Sequence, residues 1–594
     1  MDSLIGFLKF FFKYRTKIVD QIMLYISMVC ALTVIIEVGY ITDPVLAADI
    51  KRIVVYMFYG LFVLEAFRTF SSIFVLRQIN FSHYSGLLIL VYFLFVAGAR
   101  LFDISWLSFL QRDQWLFLGI GIIFLTELSK SSLIFDNFYF NPTILFVISF
   151  LGLILVGAVL LMLPRTTLNT PLGLSDAIFM SASAVCITGL SVVDISTNFS
   201  MFGQSIILFL IQVGGLGIMT FTGFFGYFFS GGFSFKNQLM FGEILEESKL
   251  NSVITTLLTI IFITLLFELI GAIFIYASLD AALFTSEGER IFFSVFHAVS
   301  SFCNSGFSIL HNGIANQDYR HNYNFQIVLA LVFILGGLGF GTVFNFYTFL
   351  KNKIKGLVCL FLRKDFKYKA QYFSFNTKFI LVCNAIVLIA ATVSYFLLEQ
   401  RHTLISDKTI FGEWVTSFFM ANASRSAGFN SVNVSFLSAP TLIMITTLMW
   451  IGASPGSTGG GVKVTTVAIA FLNIIALARG KESIEVFKRR IVGESLYKAF
   501  AIIVLSVLVI AFSFVLLNFT DSDKPMRALL FEAVSAYTTC GLSLGITPSL
   551  SMAGKWIIIF TMFVGRVGTL TLLVAIIKNT KNKSYSYPTE KLLF

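Results

Sequence analysis

Charged residues are scarce in this chain of 594 residues. Asp, Glu, Lys and Arg make up 12% of it, hydrophobic residues make up 57%, and the mean hydropathy is +0.88. A typical soluble domain carries about a quarter charged residues, so this composition cannot cover its apolar surface with polar groups. The sequence therefore predicts an integral membrane protein.

Cysteine and histidine are also rare, at six and five residues. The cysteines form no CxxC pair and have no histidine at ligand spacing, so we expect packing residues rather than a zinc site or a disulfide framework. The sequence contains no Walker A and no aspartyl-phosphate motif, so no cofactor and no energy-coupling or nucleotide-sensing domain are expected in this chain. Few acids lie in apolar segments, which makes a membrane enzyme the weakest functional alternative.

Basic residues exceed acidic ones by a formal charge of +11. Such an excess indicates either nucleic acid binding or the cytoplasmic ends of membrane spans, and its distribution between apolar segments favours the spans. No small-residue cleavage site follows the basic run 1–17, so we expect a cytoplasmic arm rather than a removed signal peptide. We predict a multi-pass protein of the cytoplasmic membrane that contacts lipid and binds no nucleic acid.

Four apolar stretches of spanning length come first, near residues 18–41, 53–75, 84–108 and 114–134. Charged residues lie in or beside them, but no arginine recurs at every third position. An accessory packing domain is therefore favoured over a voltage sensor.

A unit then recurs four times from about residue 141. It consists of a long span, a polar loop, a short amphipathic segment ending in glycine, and a second long span. The glycines are 117, 122 and 113 residues apart: Gly189, Gly306, Gly428 and Gly541. This repeat predicts an all-α membrane protein with four pseudo-symmetric span, short helix, span units. The expected boundaries are 1–137 for the N-terminal domain, then 138–250, 251–370, 371–490 and 491–594.

The loops that join the units carry most of the basic residues of this region, including Lys236 and Lys249. By the positive-inside rule these loops are cytoplasmic, so the glycine segments face the outside.

The short segments have about 13 residues, or roughly 20 Å as a helix, which is too short to cross the membrane. Re-entrant backbone is tolerated where it lines water, so the four segments are expected to converge on one axis. A helix C-terminus attracts cations, and glycine lets successive carbonyl groups face an ion. The alternative is that the glycines only allow close helix packing.

The predicted ion ligands are backbone carbonyl groups, with the hydroxyls of Thr188, Ser305, Ser426 and Thr539 as minor contributors. The filter residues are Ile187, Thr188, Gly189, Asn304, Ser305, Gly306, Ser426, Ala427, Gly428, Thr539, Cys540 and Gly541.

Each second span carries a glycine at a matching position: Gly214, Gly336, Gly452 and Gly565. In the third span a run of glycines with one proline cannot continue as a helix, and hanging below the filter it can plug the pore. The alternative is a kink without a gating role. The predicted gate comprises Gly452, Ser454, Pro455, Gly456, Ser457, Thr458, Gly459, Gly460 and Gly461.

Arg566 follows Gly565 at the same depth, where an unpaired charge costs at least about 2.5 kcal/mol. We expect it to face the pore, act as a barrier to cations and bind carbonyl groups of the glycine loop. The alternative is a structural pair with Glu268 or Glu532.

His297 and Glu532 occupy matching positions nine residues before their glycines. They either brace the short helices, which we favour, or adjust the electrostatic field at the outer side of the predicted pore.

These motifs resemble the Trk/Ktr/HKT superfamily of potassium transporters. The resemblance covers about residues 141–594 and rests on the stretch 425–430 (Arg-Ser-Ala-Gly-Phe-Asn), on 214–217 and 336–339 (both Gly-Gly-Leu-Gly), and on the glycine loop, which looks like the family's intramembrane gating loop.

The resemblance implies K+ uptake, because members with glycine in all four filters usually favour K+, while serine in the first is associated with Na+. A Na+-conducting or Na+-coupled transporter is the alternative. It also implies a homodimer and a separate cytosolic nucleotide-binding regulatory subunit, for which the basic loops are the candidate docking surface, unless they serve only topology and lipid contact.

Overall fold

The computed structural model describes residues 22–40, 44–76, 81–102, 105–132, 142–217, 253–361, 374–407, 409–481, 483–569 and 572–573. The predicted basic arm 1–17 and the loop residues Lys236 and Lys249 lie outside the described residues, as do the tail beyond residue 573 and much of the basic joining loop at 362–373. The predicted orientation therefore stays a prediction.

Four helices precede the repeated units, as the apolar stretches predict. They are α1 (Ile22–Gly39), α2 (Pro44–Leu76), α3 (Phe81–Leu101) and α4 (Asp113–Ser132). Phe58 and Phe93 stack at 4.4 Å between ring centroids in their core. Arg68 pairs with the buried carboxylates of Glu65, at 2.6 Å, and Glu127. These contacts give the four N-terminal helices a packed interior of their own.

The region from residue 142 repeats one helix order four times. The outer helices are α5 (Pro142–Leu161), α8 (Val253–Ser278), α12 (Phe375–Glu399) and α16 (Gly493–Thr520). The short helices are α6 (Leu174–Val185), α9 (Glu287–Phe302), α13 (Ile410–Ser426) and α17 (Met526–Thr538). The inner helices are α7 (Met201–Leu216), α10 (Tyr323–Gly337), α14 (Ala439–Trp450) and α18 (Met552–Val567). Two further helices follow inner helices, α11 (Phe340–Phe361) and α15 (Val464–Ala478).

The inner helices are interrupted before they reach the length of the expected second spans. They have only 16, 15, 12 and 16 residues. Helix α10 stops at Gly337, and α11 leaves at 105° to it. Gly217, Gly339 and Gly568 follow these ends with φ of 78°, 89° and 87°. This backbone region is open mainly to glycine, so these residues allow the helices to end there. The helix is therefore interrupted in every repeat and not only in the third, where α14 ends at Trp450.

Apolar side chains are distributed as a membrane requires. Five described helical segments are long and apolar enough to cross a bilayer: Ile22–Gly39, Val45–Phe70, Leu258–Ser278, Phe375–Glu399 and Gly493–Thr520. Their outward side chains, such as Ile386 and Phe512, are exposed. The C-terminal halves of the short helices are instead buried; in α6 every residue from Ala177 to Val185 is covered. The structure thus encloses the short helices within the outer helices.

One strand pair departs from the all-α expectation. Glu485–Val486 and Arg489–Arg490 form a two-residue antiparallel hairpin between the third and fourth repeats. Phe487 and Lys488 make its turn at positive φ, 48° and 61°, which suits a tight hairpin turn. This turn lacks the Asn-Gly pair that usually marks such a hairpin.

Candidate functional site

The four predicted glycine turns meet in one ring. A methyl group added to any of the four glycines would overlap a backbone carbonyl oxygen of the neighbouring turn. The contacts pass from each repeat to the next and from the last back to the first: Gly189 to Ser305, Gly306 to Ala427, Gly428 to Cys540 and Gly541 to Thr188. This cyclic order is what four repeats around one axis require.

The turns are strained in three of the four repeats. Ile187, Asn304 and Thr539, each two residues before its glycine, have φ of 56°, 57° and 50°. A left-handed backbone costs a side-chain-bearing residue about 1–2 kcal/mol, and such strain clusters at functional sites. In the third repeat the helix continues to Ser426 and only Gly428 has positive φ, at 72°. The sequence pattern did not predict this strain or this departure from symmetry.

The carbonyl groups of the twelve predicted filter residues accept no hydrogen bond from the described residues. Most are buried, and the short helices point their negative C-terminal ends at the same place. The predicted hydroxyl ligands differ from one another. Those of Thr188, Ser426 and Thr539 have no hydrogen-bond partner within the described ranges, while that of Ser305 is 2.9 Å from the Ser300 hydroxyl.

His297 and Glu532 brace the turns, as favoured from the sequence. His297 Nε2 lies 2.9 Å from the Ser308 hydroxyl, and the Ser543 hydroxyl donates to Glu532 at 3.1 Å. Both serines lie two residues past the ring glycine. Each contact therefore ties a short helix to the chain that leaves its turn.

Glycines of three inner helices lie directly against the short helices. A methyl group on any of them would overlap a carbonyl oxygen four residues before the ring glycine: Gly214 against Val185, Gly336 against Phe302 and Gly565 against Tyr537. The fourth, Gly452, lies against Gly460 of the glycine loop instead. The shared position thus reflects close packing in three repeats and loop contact in the other.

Gly565→Ala is expected to lower the thermal stability of the purified protein. The added methyl group forces Tyr537, and with it the fourth turn, to move, and overpacking costs about 1–3 kcal/mol. The measurement is the melting temperature in detergent, with Gly121→Ala as control because a methyl group there meets no atom within 4 Å. Equal melting temperatures for the two variants would contradict the proposed close contact.

The glycine loop after α14 folds back on itself. Gly452 N donates to Val462 O at 2.9 Å and Val464 N to Ala453 O at 3.2 Å, which closes a neck between the two ends. Ser454 N donates to Gly337 O at 3.1 Å, and Phe340 N to Gly456 O at 2.9 Å. The loop is therefore also fastened to the break between α10 and α11.

The loop lies immediately next to the ring. Gly459 packs against the Ser426 side chain, and Gly460 packs against the Thr539 hydroxyl. The Thr458 hydroxyl donates to Phe302 O at 3.0 Å and accepts from Asn304 Nδ2 at 2.8 Å. The structure thus brings the predicted gate and filter residues together.

Arg566 binds backbone carbonyl groups rather than an acid. Its Nη1 donates to Thr458 O in the loop and its Nη2 to Gly214 O at 2.8 Å. The two acids considered as partners are engaged elsewhere, since Glu268 accepts from Gln212 at 3.1 Å and Glu532 from Ser543. Within the described residues the structural pair is therefore not formed.

Three polar residues contact the loop although the sequence analysis gave them no role there. Lys463 Nζ donates to Gly459 O at 2.6 Å. Arg425 and Asn384 hold the start of the loop, as described below. Lys463 had a signal, because it is a lone charge inside an apolar stretch, and such charges are rare without a role. Asn384 carries no charge, and nothing in its sequence context indicated a contact with the loop.

A ring of four helix ends inside a shell of apolar helices defines a multi-pass membrane transport protein. Residues 130–587 match the TrkH family, described as cation transport protein. The chain belongs to this family. The match begins near the end of α4, so α1 to α3 lie outside it.

Named relatives agree with this assignment. The Ktr system potassium uptake protein B of Bacillus subtilis is 35% identical over 76% of this chain and 96% of its own. The protein of the same name from Vibrio alginolyticus is 34% identical over 72% and 89%. The potassium/sodium uptake protein NtpJ of Enterococcus hirae is 30% identical over 76% and 97%.

A solved structure shows the same fold. The potassium transporter TrkH from Vibrio parahaemolyticus superposes with a TM-score of 0.59 at 17% identity, and the match covers 84% of this chain and 98% of that one.

Proposed function

We propose that this chain takes up K+ through the ring of glycine turns, which acts as its selectivity filter. The observation that supports this best is the cyclic packing of four turns whose carbonyl oxygens accept no hydrogen bond in the described structure. Such oxygens replace the hydration shell of a cation. At 100 mV, inside negative, each entering cation gains about 2.3 kcal/mol, so uptake needs no ATP.

The choice of K+ rests on the resemblance and on the relatives. Gly189 completes a set of four ring glycines, the pattern associated with K+ in the superfamily. Two relatives are named potassium uptake proteins. A third is named for potassium and sodium, which favours Na+ conduction or Na+ coupling as the second candidate.

Gating is proposed to occur at the glycine loop and Arg566. The loop lies against the ring, and Arg566 holds it through Thr458 O. A fixed positive charge beside the pathway also opposes cations. Conduction then requires the loop and the arginine to move together.

The further assignments extend the same proposal. The four repeats keep the boundaries 138–250, 251–370, 371–490 and 491–594, and residues 1–137 form an accessory domain. The Ktr relatives are named as parts of a system. A homodimer and a separate cytosolic regulatory subunit are accordingly proposed as partners.

Growth rescue tests the transport proposal. Expression of the chain is expected to restore growth of a K+-uptake-deficient bacterium at low K+, and Gly428→Asp is expected to abolish the rescue at equal expression. The purified protein in liposomes should pass K+, with Na+ competing weakly. Absence of K+ flux would refute the proposal, and Na+ flux that K+ does not reduce would establish the second candidate.

A further inference from the structure

Arg425 is a buried charge in the last turn of α13, with 7% of its surface exposed. Its Nη2 donates to Asn384 Oδ1 at 2.8 Å and to Gly452 O at 3.2 Å. No carboxylate pairs with it in the part of the chain that the structure describes. A charged residue inside an apolar region is costly and usually has a functional role. These two contacts therefore indicate a role for Arg425.

Asn384, on the outer helix α12, passes the contact on to the loop. Its Nδ2 donates to the Ser454 hydroxyl at 2.8 Å and to Ile380 O at 2.8 Å. Asn384 is 3% exposed and Ser454 is fully buried. Arg425 and Asn384 together therefore bind Gly452 and Ser454, the residues that begin the glycine loop.

A small cavity of about 30 Å³ adjoins this network, and Asn304, Asn422 and Ser426 are among the residues that line it. Arg425 Nε, Asn422 Oδ1 and Ser426 Oγ are buried and have no hydrogen-bond partner among the described residues. The hydrogen bonds of Arg425 in the described structure are therefore those to Asn384 Oδ1 and Gly452 O.

We propose that Arg425 and Asn384 form a second latch on the loop, separate from Arg566. The proposal rests on the gating role given above. Arg566 holds the middle of the loop at Thr458, whereas the second latch holds the neck, where Gly452 is bonded to Val462. Releasing Arg566 frees the middle only. Full displacement of the loop requires the neck latch to open as well.

Variants at Asn384 test the latch without removing a buried charge. Asn384→Leu removes both bridging hydrogen bonds, and we expect K+ flux into liposomes to rise about tenfold, as for loss of a hydrogen bond to a charged group. Asn384→Asp keeps an acceptor for Arg425 and strengthens the bond, so flux should fall below the wild-type level. Combined with Arg566→Gln, the effect of Asn384→Leu should multiply, because separate latches are energetically independent.

A second measurement does not depend on transport. Val462→Cys introduces a thiol at the neck, where Val462 is 1% exposed. Asn384→Leu should increase its rate of modification by a water-soluble thiol reagent about tenfold. The matched control is Asn422→Leu, which removes a buried amide beside the same cavity whose bonds go to Phe418 O and Thr392 instead.

The outcomes separate the two proposals. An unchanged modification rate in Asn384→Leu, or an equal increase in Asn422→Leu, overturns the latch. A wild-type protein without K+ flux overturns the proposed function, while the thiol rates still decide the latch.

Discussion

Replacing Arg566 with glutamine is expected to raise K+ flux about tenfold or more. The arginine donates to Thr458 O in the loop and to Gly214 O in α7, and each bond from a charged donor contributes about 1.5–3 kcal/mol. Glutamine shortens the side chain and removes the charge, so the loop loses its central attachment and the pathway loses its electrostatic barrier. Flux into liposomes at matched protein density measures the change.

Arg566→Lys distinguishes the two effects. Lysine keeps the positive charge but cannot bridge two carbonyl groups with a planar fork. If the charge is the main barrier, the lysine variant stays near the wild-type flux; if the attachment dominates, it approaches the glutamine variant. Glutamine and wild-type proteins of equal flux would contradict both roles.

The opposite result is expected for Gly306→Ala, which should reduce K+ flux at least about a hundredfold. The added methyl group would overlap Ala427 O, and Gly306 has φ of 71°, where side chains are strained. Since the ring is closed by contacts between neighbouring turns, displacing one carbonyl group disturbs the next turn too. Flux and K+/Na+ competition in liposomes are the measurements.

Gly152→Ala is the control for this substitution. Gly152 lies on α5, the outer helix of the first repeat, and a methyl group there meets no atom within 4 Å. Its replacement should leave flux unchanged. Normal flux in Gly306→Ala would show that ions do not pass through the ring.

The sequence predicted the helix order from apolar length, and it predicted the convergence of the glycine segments from their short length and their repetition in register. Apolar length marks the helices, and Gly189, Gly306, Gly428 and Gly541 repeat with their flanking residues in register. The placement of Arg566 beside the loop followed from the cost of a charge among apolar residues.

Other features depend on contacts between distant residues. The inner helices end early where Gly217, Gly339 and Gly568 adopt positive φ, and a single glycine in the sequence does not reveal its backbone angle. Likewise, the left-handed Ile187 and Thr539 contradict the preference of β-branched residues. The hydrogen bond between Asn384 and Arg425 joins two separate helices, and no repeating pattern in the sequence predicts it.

The last contact of the ring joins Gly541 to Thr188, residues at opposite ends of the repeated region. A chain still being synthesised can assemble three turns, but the fourth side stays open until residue 541 has been inserted. Products that stop short of residue 541 therefore lack the contact that closes the ring. Closure across so large a sequence separation should also be among the last and slowest steps of folding.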